Sequence, residues 1–331
     1  MHWQRRHPSK IDRKLWMYWL DQMSEPSPYL LPEWSLFWER VWPGSRAEMW
    51  LAGDLERADG GVPLIRRRRF GLEWLFSQPY GTAGGWIGAN PGVSTDGMPI
   101  LLEASWDDFT PSVITQRTVE LTMSAPAAFG LRPNWCSQQL DFSSWVLDLH
   151  TTVHSDVLAD ISESHSRNIR EGLQRNPVIE CITDTAAATA LRDQWVWRPK
   201  PSPRILLHHT RGPIFASVLA PTGALRWLVA RVDGRTVATT AWLVLNQRAV
   251  NVDNAIDREA DCRGVNHALF ARLLQDLFNE GVREFDFGGG PAGSSPAGLT
   301  QFKEGWGAKP VPRSEIRYRR NAYHRLRRIM P

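Results

Sequence analysis

Residues 225–256 read as three strands joined by two tight turns. "LRWLVARV" leads into Asp233-Gly234, a dipeptide whose members both accept positive φ and so match the twist of a two-residue hairpin. "RTVATTAWLVL" returns, Asn246-Gln247 turns again, and "RAVNVDNA" supplies the third strand. Two-residue turns leave no length for a crossover, so the three strands are antiparallel neighbours. Alternation predicts Val250 and Val252 on one face of the third strand, with Asn251 and Asp253 on the other. Leu269, Phe270, Leu273, Leu274, Leu277 and Phe278 then recur at helical spacing, predicting a helix over about 265–280 with Gly281 as its C-cap. "VREFDFGGG" predicts a strand that runs into glycines, with Phe285 and Phe287 on one face and Glu284 and Asp286 on the other. A meander, a helix and a further strand define an α+β fold in which helices pack on a mixed, mainly antiparallel sheet.

Upstream, residues 155–175 have helical spacing. Ser155 or Asp156 can cap this helix, Val157, Leu158, Ile161, Ile169 and Leu173 share a side, and Pro177 ends it. Further helices are expected near 186–197 and 205–219. Residues 30–146 have another texture, rich in Trp, Gly and Pro, with strands expected at 47–53 and 61–69 and a glycine-rich loop at 77–92. The 331 residues suit two domains of ordinary size. The expected division is a basic segment over 1–29, a first domain over 30–150, a second over 151–312, and a basic tail over 313–331.

Basic residues exceed acidic ones by 39 to 35, and they gather at the ends. Arg5, Arg6, Lys10, Arg13 and Lys14 open the chain, and Arg313, Arg317, Arg319, Arg320, Arg325, Arg327 and Arg328 close it. Such ends can meet the phosphates of nucleic acid, coenzyme or anionic lipid, or simply be solvated. Arginine dominates: the lysines are Lys10, Lys14, Lys200, Lys303 and Lys309. A lysine among glycines at 298–307 therefore stands out, since lysine can release a proton and arginine cannot.

Cys136, Cys181 and Cys262 match no zinc spacing and fit a reducing compartment. No apolar run reaches the roughly 18–20 residues of a membrane span, and the basic start lacks the apolar stretch of a secretory signal. A cytoplasmic location is expected, with peripheral contact to the inner membrane face open to the basic ends. No metal and no tightly bound cofactor are expected. Asp286-Phe287-Gly288 lacks the other marks of a protein kinase, and His208 and His209 lack carboxylate partners at ligand spacing.

"FDFGGG…GLTQFKEGWGA" (285–308) resembles the Fem family of peptidoglycan interpeptide-bridge aminoacyltransferases and the GNAT-like acyltransferases found with exopolysaccharide genes. "SRNIREGLQRN" (166–176), "VDGRTVATTAWLV" (232–244), "PEWSLFWERVW" and "GVPLIRRRRFG" are similar as well, so the resemblance runs over most of 30–311. It implies two GNAT-like domains in tandem, each a mixed, mainly antiparallel sheet flanked by helices. It also implies transfer of an acyl or aminoacyl group from acyl-CoA or charged tRNA to an amine or hydroxyl of a cell-envelope precursor or polysaccharide. The sequence shows no long heptad segment of the kind expected for the helical arm that some tRNA-dependent members carry. Its "DCRGVN" (261–266) keeps only Gly264 of the usual coenzyme A loop.

On this resemblance Lys303 stabilises the tetrahedral intermediate and Phe302 packs beside the donor. Asp286 is a base or a substrate anchor, or a structural acid that accepts N–H groups of the glycine turn. Asp253 and Asn254 can line the same cleft. Tyr80, Gly85 and Trp86 are candidates for the acceptor side. Arg167 and Arg170 can meet a phosphate, as can Gly264 and Arg263 at the predicted helix start. Movement of the loop 288–301 would gate the site. A non-catalytic protein that holds an anionic glycan or lipid-linked precursor is the alternative reading.

Overall fold

The computed structural model describes residues 3–23, 26–52, 58, 60–69, 72–78, 84–88, 113–118, 135–150, 158–182, 217–257, 260, 262–291 and 297–320. The chain divides into two compact units, residues 1–142 with 312–331 and residues 143–311. The first holds β1 (Trp3–Arg6), α1 (Arg13–Asp21), α2 (Pro32–Val41), β2 (Ser45–Ala52), β3 (Gly60–Arg69), β4 (Leu72–Phe76), β5 (Ile87–Gly88) and β6 (Val113–Thr118). It also takes the start of β7 (Trp135–Asp148) and most of β13 (Lys309–Arg320). β1, β2, β3 and β4 pair antiparallel in that order, and β6 lies parallel to β4. Parts of both basic ends pair in this sheet: Trp3–Arg6 form β1 beside β2, and Ser314–Arg319 of β13 pair with β6, while 321–331 lie outside the described residues. Burial of Trp16, Trp19 and Leu20 on α1 explains the first, because an amphipathic helix in the first 29 residues commits that segment to the core.

The second unit holds the end of β7, α3 (Glu163–Leu173), β8 (Val178–Ile182), β9 (Leu225–Val232), β10 (Arg235–Leu245), β11 (Arg248–Ile256), α4 (Val265–Asn279), β12 (Glu284–Pro291) and α5 (Ala297–Gly305). Strand order is β7-β12-β11-β10-β9-β8. The meander forms as its turns require, with φ of +50° at Asp233, +74° at Gly234 and +52° at Asn246. α4 lays Leu269, Phe270, Leu273, Leu274 and Leu277 into the core, and Gly281 follows in the left-handed conformation. Phe285 and Phe287 join that core.

Three local expectations change. α3 begins at Glu163, because the Ser162 hydroxyl accepts the His165 N–H and caps it; positions 155–157 lie outside the described residues. Leu173, expected on the buried side, is 52% exposed, and the inward positions are His165, Ile169 and Gly172. On β11, Ala241 pairs with Asp253 and Trp242 with Asn251, so Val252 is a bulge. The extra residue breaks the alternation. Asn251 lies on the α4 face beside Thr240, whose Oγ1 accepts its Nδ2–H at 2.8 Å, and Asp253 moves to the opposite face with Val250. The helices expected near 186–197 and 205–219 fall largely or wholly outside the described residues, as do His208 and His209.

Candidate functional site

β11 and β12 are the parallel pair of the second unit, joined through α4. Their pairing covers Arg248–Val250 against Glu284–Asp286, while β11 continues to Ile256 and β12 to Pro291. The strands thus part just where Asp286 sits, and main-chain groups beyond that point are released from the ladder.

Asp286 stands at this fork. Its Oδ1 accepts the Ser144 hydroxyl from β7 and the Gly288 N–H at 2.7 Å. Oδ2 has no hydrogen-bond partner among the described residues. Gly288 has a φ of +75°, which lets the chain fold its own N–H back onto the carboxylate. A Cβ on Gly289 would overlap the Ser143 carbonyl, so β7 and β12 approach closely here.

Lys303 comes from α5. The loop expected over 288–301 is helical in its last part, since Ala297–Gly305 forms α5, and 292–296 lies outside the described residues. Leu299, Phe302 and Trp306 recur at helical spacing, and docking Phe302 and Trp306 on the core outweighs the helix cost of Gly298 and Gly305. Lys303 is 5% exposed and donates to the Gly288 carbonyl at 2.7 Å. Burial lowers the pKa of its amine and the Asp286 carboxylate opposes that shift. One residue, Gly288, therefore gives its N–H to the acid and its C=O to the lysine.

Phe302 packs its ring against Phe270, His267, His165 and Trp306, at centroid distances of 5.2, 5.3, 5.5 and 6.0 Å. The two histidines escaped the sequence reading. His165 is buried on α3, and its Nε2–H donates to the Phe302 carbonyl at 2.9 Å. That fixes the tautomer, and Nδ1 faces the Ser162 hydroxyl at 3.1 Å. His267, on α4, stands edge-on to His165 at 4.7 Å, and its Nε2 lies 3.3 Å from Asn168 Nδ2. Burial, reinforced by His165, pushes His267 down to about 4, and burial lowers His165 too, against the Phe302 hydrogen bond. The available signal was the Ser-x-x-His spacing of Ser162 and His165, which reads as a helix start but carries no mark of its distant partners.

The start of α4 supplies unpaired donors. Val265 N–H bonds to Cys262 O, and the His267 and Ala268 N–H groups bond to Gly264 O. The amides of Arg263, Gly264 and Asn266 have no backbone acceptor among the described residues. Gly264 has a φ of +82° and lies against Asn168 and Gly172 of α3, leaving no space for a Cβ. Arg263 is held by Glu171 at 3.2 Å and its carbonyl accepts from Arg175. Arg167 and Arg170 project from the exposed side of α3. Asn254 is exposed on β11, opposite Thr240.

Gly85 and Trp86, candidates for the acceptor side, belong to the first unit. Trp86 is 6% exposed and packs as a core residue, and Gly85 is buried beside it with a φ of +125°. Gly84 lies so close to Ser77 that a Cβ would overlap its hydroxyl, so at least this glycine serves packing. Tyr80 lies outside the described residues.

A mixed sheet that forks between parallel strands, with a helix start beside the fork, defines a GNAT-type acyl-group transferase fold. Residues 161–304 match the model of the acetyltransferase (GNAT) domain family. The whole chain shares its fold with FemX, with a TM-score of 0.66 and 12% sequence identity over 99% of both chains. It is similar to a tandem GNAT protein from the clavulanic acid biosynthesis pathway, with a TM-score of 0.57 and 15% identity over 97% of this chain and 98% of that one. It is also similar to L-PGS from Bacillus licheniformis, with a TM-score of 0.56 and 14% identity over 94% and 92% of the two chains. No curated protein matches the sequence. Among the described residues no helix is long and apolar enough to cross a membrane.

Proposed function

We propose that the chain transfers an acyl or aminoacyl group from a CoA thioester or a charged tRNA to an amine or hydroxyl of a cell-envelope precursor or polysaccharide. The observation that carries this reading is the buried Lys303 amine, bonded to the Gly288 carbonyl at the mouth of the strand fork. Acyl transfer builds negative charge on the former carbonyl oxygen, and a preplaced cation in a partly dry site stabilises it. A buried lysine is costly unless its charge is used or paired, and here the carboxylate whose charge acts on it, Asp286, has one oxygen committed elsewhere. Its Oδ2 can receive the proton of an attacking amine or hydroxyl, directly or through water. Phe302 lies beside Lys303 as an apolar wall for the donor.

The similarity to FemX and to L-PGS supports an envelope acceptor and an aminoacyl donor. The tandem GNAT protein and the domain match support acyl-CoA. The amides of Arg263, Gly264 and Asn266 suit a phosphate group of either donor. On this reading Arg167 and Arg170 meet phosphates of the bound substrates, Asp253 and Asn254 border the fork, and Gly85, Trp86 and Tyr80 belong to the acceptor half. The site sits in the cytoplasm, with arginines of the chain ends reaching anionic lipid.

The test measures thermal midpoints against a panel of acyl-CoA thioesters and charged tRNAs, then turnover with whichever donor stabilises the protein. Lys303→Ala should lose at least ~100-fold in turnover, the scale of one oxyanion-stabilising group. Unchanged turnover removes Lys303 from the chemistry. Salt-sensitive binding of an anionic glycan without consumption of any donor would make the chain a binding protein.

A further inference from the structure

α5 carries Lys303 in its last turn, so the way that turn ends decides where the amine sits. Helix C-termini leave carbonyls without intrahelical partners. Here Ala308 N–H bonds to Lys303 O and Gly307 N–H to Glu304 O, with Gly307 at a φ of +82°. This is a Schellman ending, and it satisfies those two carbonyls. It does not reach Phe302 O, because the Trp306 N–H turns to Lys303 O instead. Nor does it reach Gly305 O.

Both remaining carbonyls are met by the start of α3. His165 Nε2–H donates to Phe302 O at 2.9 Å, and the Ser162 backbone N–H donates to Gly305 O at 2.9 Å. The His165 ring also lies flat against Gly305, where any Cβ would overlap it, and edge-on to Trp306 at 4.9 Å. Two hydrogen bonds and a ring contact thus join one helix start to one helix end. Lys303 and Glu304 lie between the two bonded carbonyls, and the Lys303 amine reaches back to Gly288.

We propose that His165 is a positioning residue: with Ser162 it clamps the last turn of α5 and thereby holds the Lys303 amine on the Gly288 carbonyl. The proposal rests on the reading of Lys303 given above, yet it concerns where the amine sits and is testable without substrate. The chain has five lysines, so protein labelled at lysine Cε gives few NMR signals, and Lys303→Met identifies the signal of interest by its loss.

In the wild type, burial of the amine on the Gly288 carbonyl lowers the titration of that signal. His165→Phe keeps a ring but removes the donor. The expected result is a Lys303 titration that moves up, as the amine leaves its buried place. His165→Gln keeps an N–H at the same reach, and the low titration is expected to persist. A Lys303 titration unchanged in His165→Phe, with only a lower melting midpoint, overturns the proposal and leaves His165 as packing. Should His165→Phe not fold, Gly305→Ala displaces the ring without altering its chemistry, and the same two outcomes apply. Loss of the clamp leaves the transferase reading standing, whereas full turnover in Lys303→Ala sinks that reading without touching the clamp.

Discussion

Lowering the pH from 7.5 to 4.5 puts a proton on His267 in the unfolded chain but leaves it largely neutral in the folded one. The unfolded pKa is near 6.5 and burial beside His165 brings the folded value to about 4. Between those values the unfolded state binds more protons, so stability rises with pH there and is lost as pH falls below 6.5. Above 6.5 both states are neutral and His267 contributes nothing to the dependence. At pH 4.5 about two pKa units of the gap have been crossed, on the order of 2–3 kcal/mol at ~1.4 kcal/mol per unit. Partial solvent contact of the ring trims this to about 2 kcal/mol.

The assay is urea unfolding of wild type and His267→Phe at both pH values, because the variant keeps an aromatic ring while every other titrating group is shared. With a urea dependence of roughly 2 kcal/mol per molar, the wild-type midpoint should fall about 1 M further than that of the variant. Equal losses in the two proteins would refute the claim that His267 is held neutral by its surroundings.

Gly264→Ala forces a side chain onto a φ of +82° and into Asn168 and Gly172. Left-handed strain and overpacking together cost about 3 kcal/mol, a drop of roughly 6–10 °C in melting midpoint for a unit of this size. A change under ~2 °C would mean the α3–α4 contact yields freely. Asp286→Asn retains an oxygen for Ser144 and the Gly288 N–H, so the fold should persist. Turnover should fall ~100-fold or more if Oδ2 takes the acceptor proton, and full activity would reduce Asp286 to a structural acid. The same variant removes the charge that opposes the shift at Lys303, so Lys303 should titrate lower still by NMR; an upward move contradicts that.

The meander was legible because its information is local. Asp233-Gly234 specifies a turn, and a turn of two residues specifies both neighbours. α4 was legible for the same reason, with its apolar stripe and Gly281 all within seventeen residues. The bulge at Val252 was not, since nothing in "RAVNVDNA" distinguishes a regular strand from one with an extra residue; the mismatch exists only against β10. α5 was misread as loop because its glycines weigh against a helix locally, and the compensating burial of Phe302 and Trp306 is tertiary.

The same distinction runs through the site. Asp286 and Lys303 lie within one short motif, and Gly288 joins them, so the sequence could nominate both. Ser144 is 142 positions from Asp286, and His165 is 137 from Phe302. Those partners hold the nominated groups in place, but each is an ordinary residue in its own neighbourhood. A serine in a strand and a histidine in the first turn of a helix acquire a role only when the sheet brings β7 beside β12 and α3 caps α5. Chemistry needs unusual residue types, which composition exposes. Positioning needs only a hydrogen bond in the right place, which many residues can supply and which the fold alone assigns.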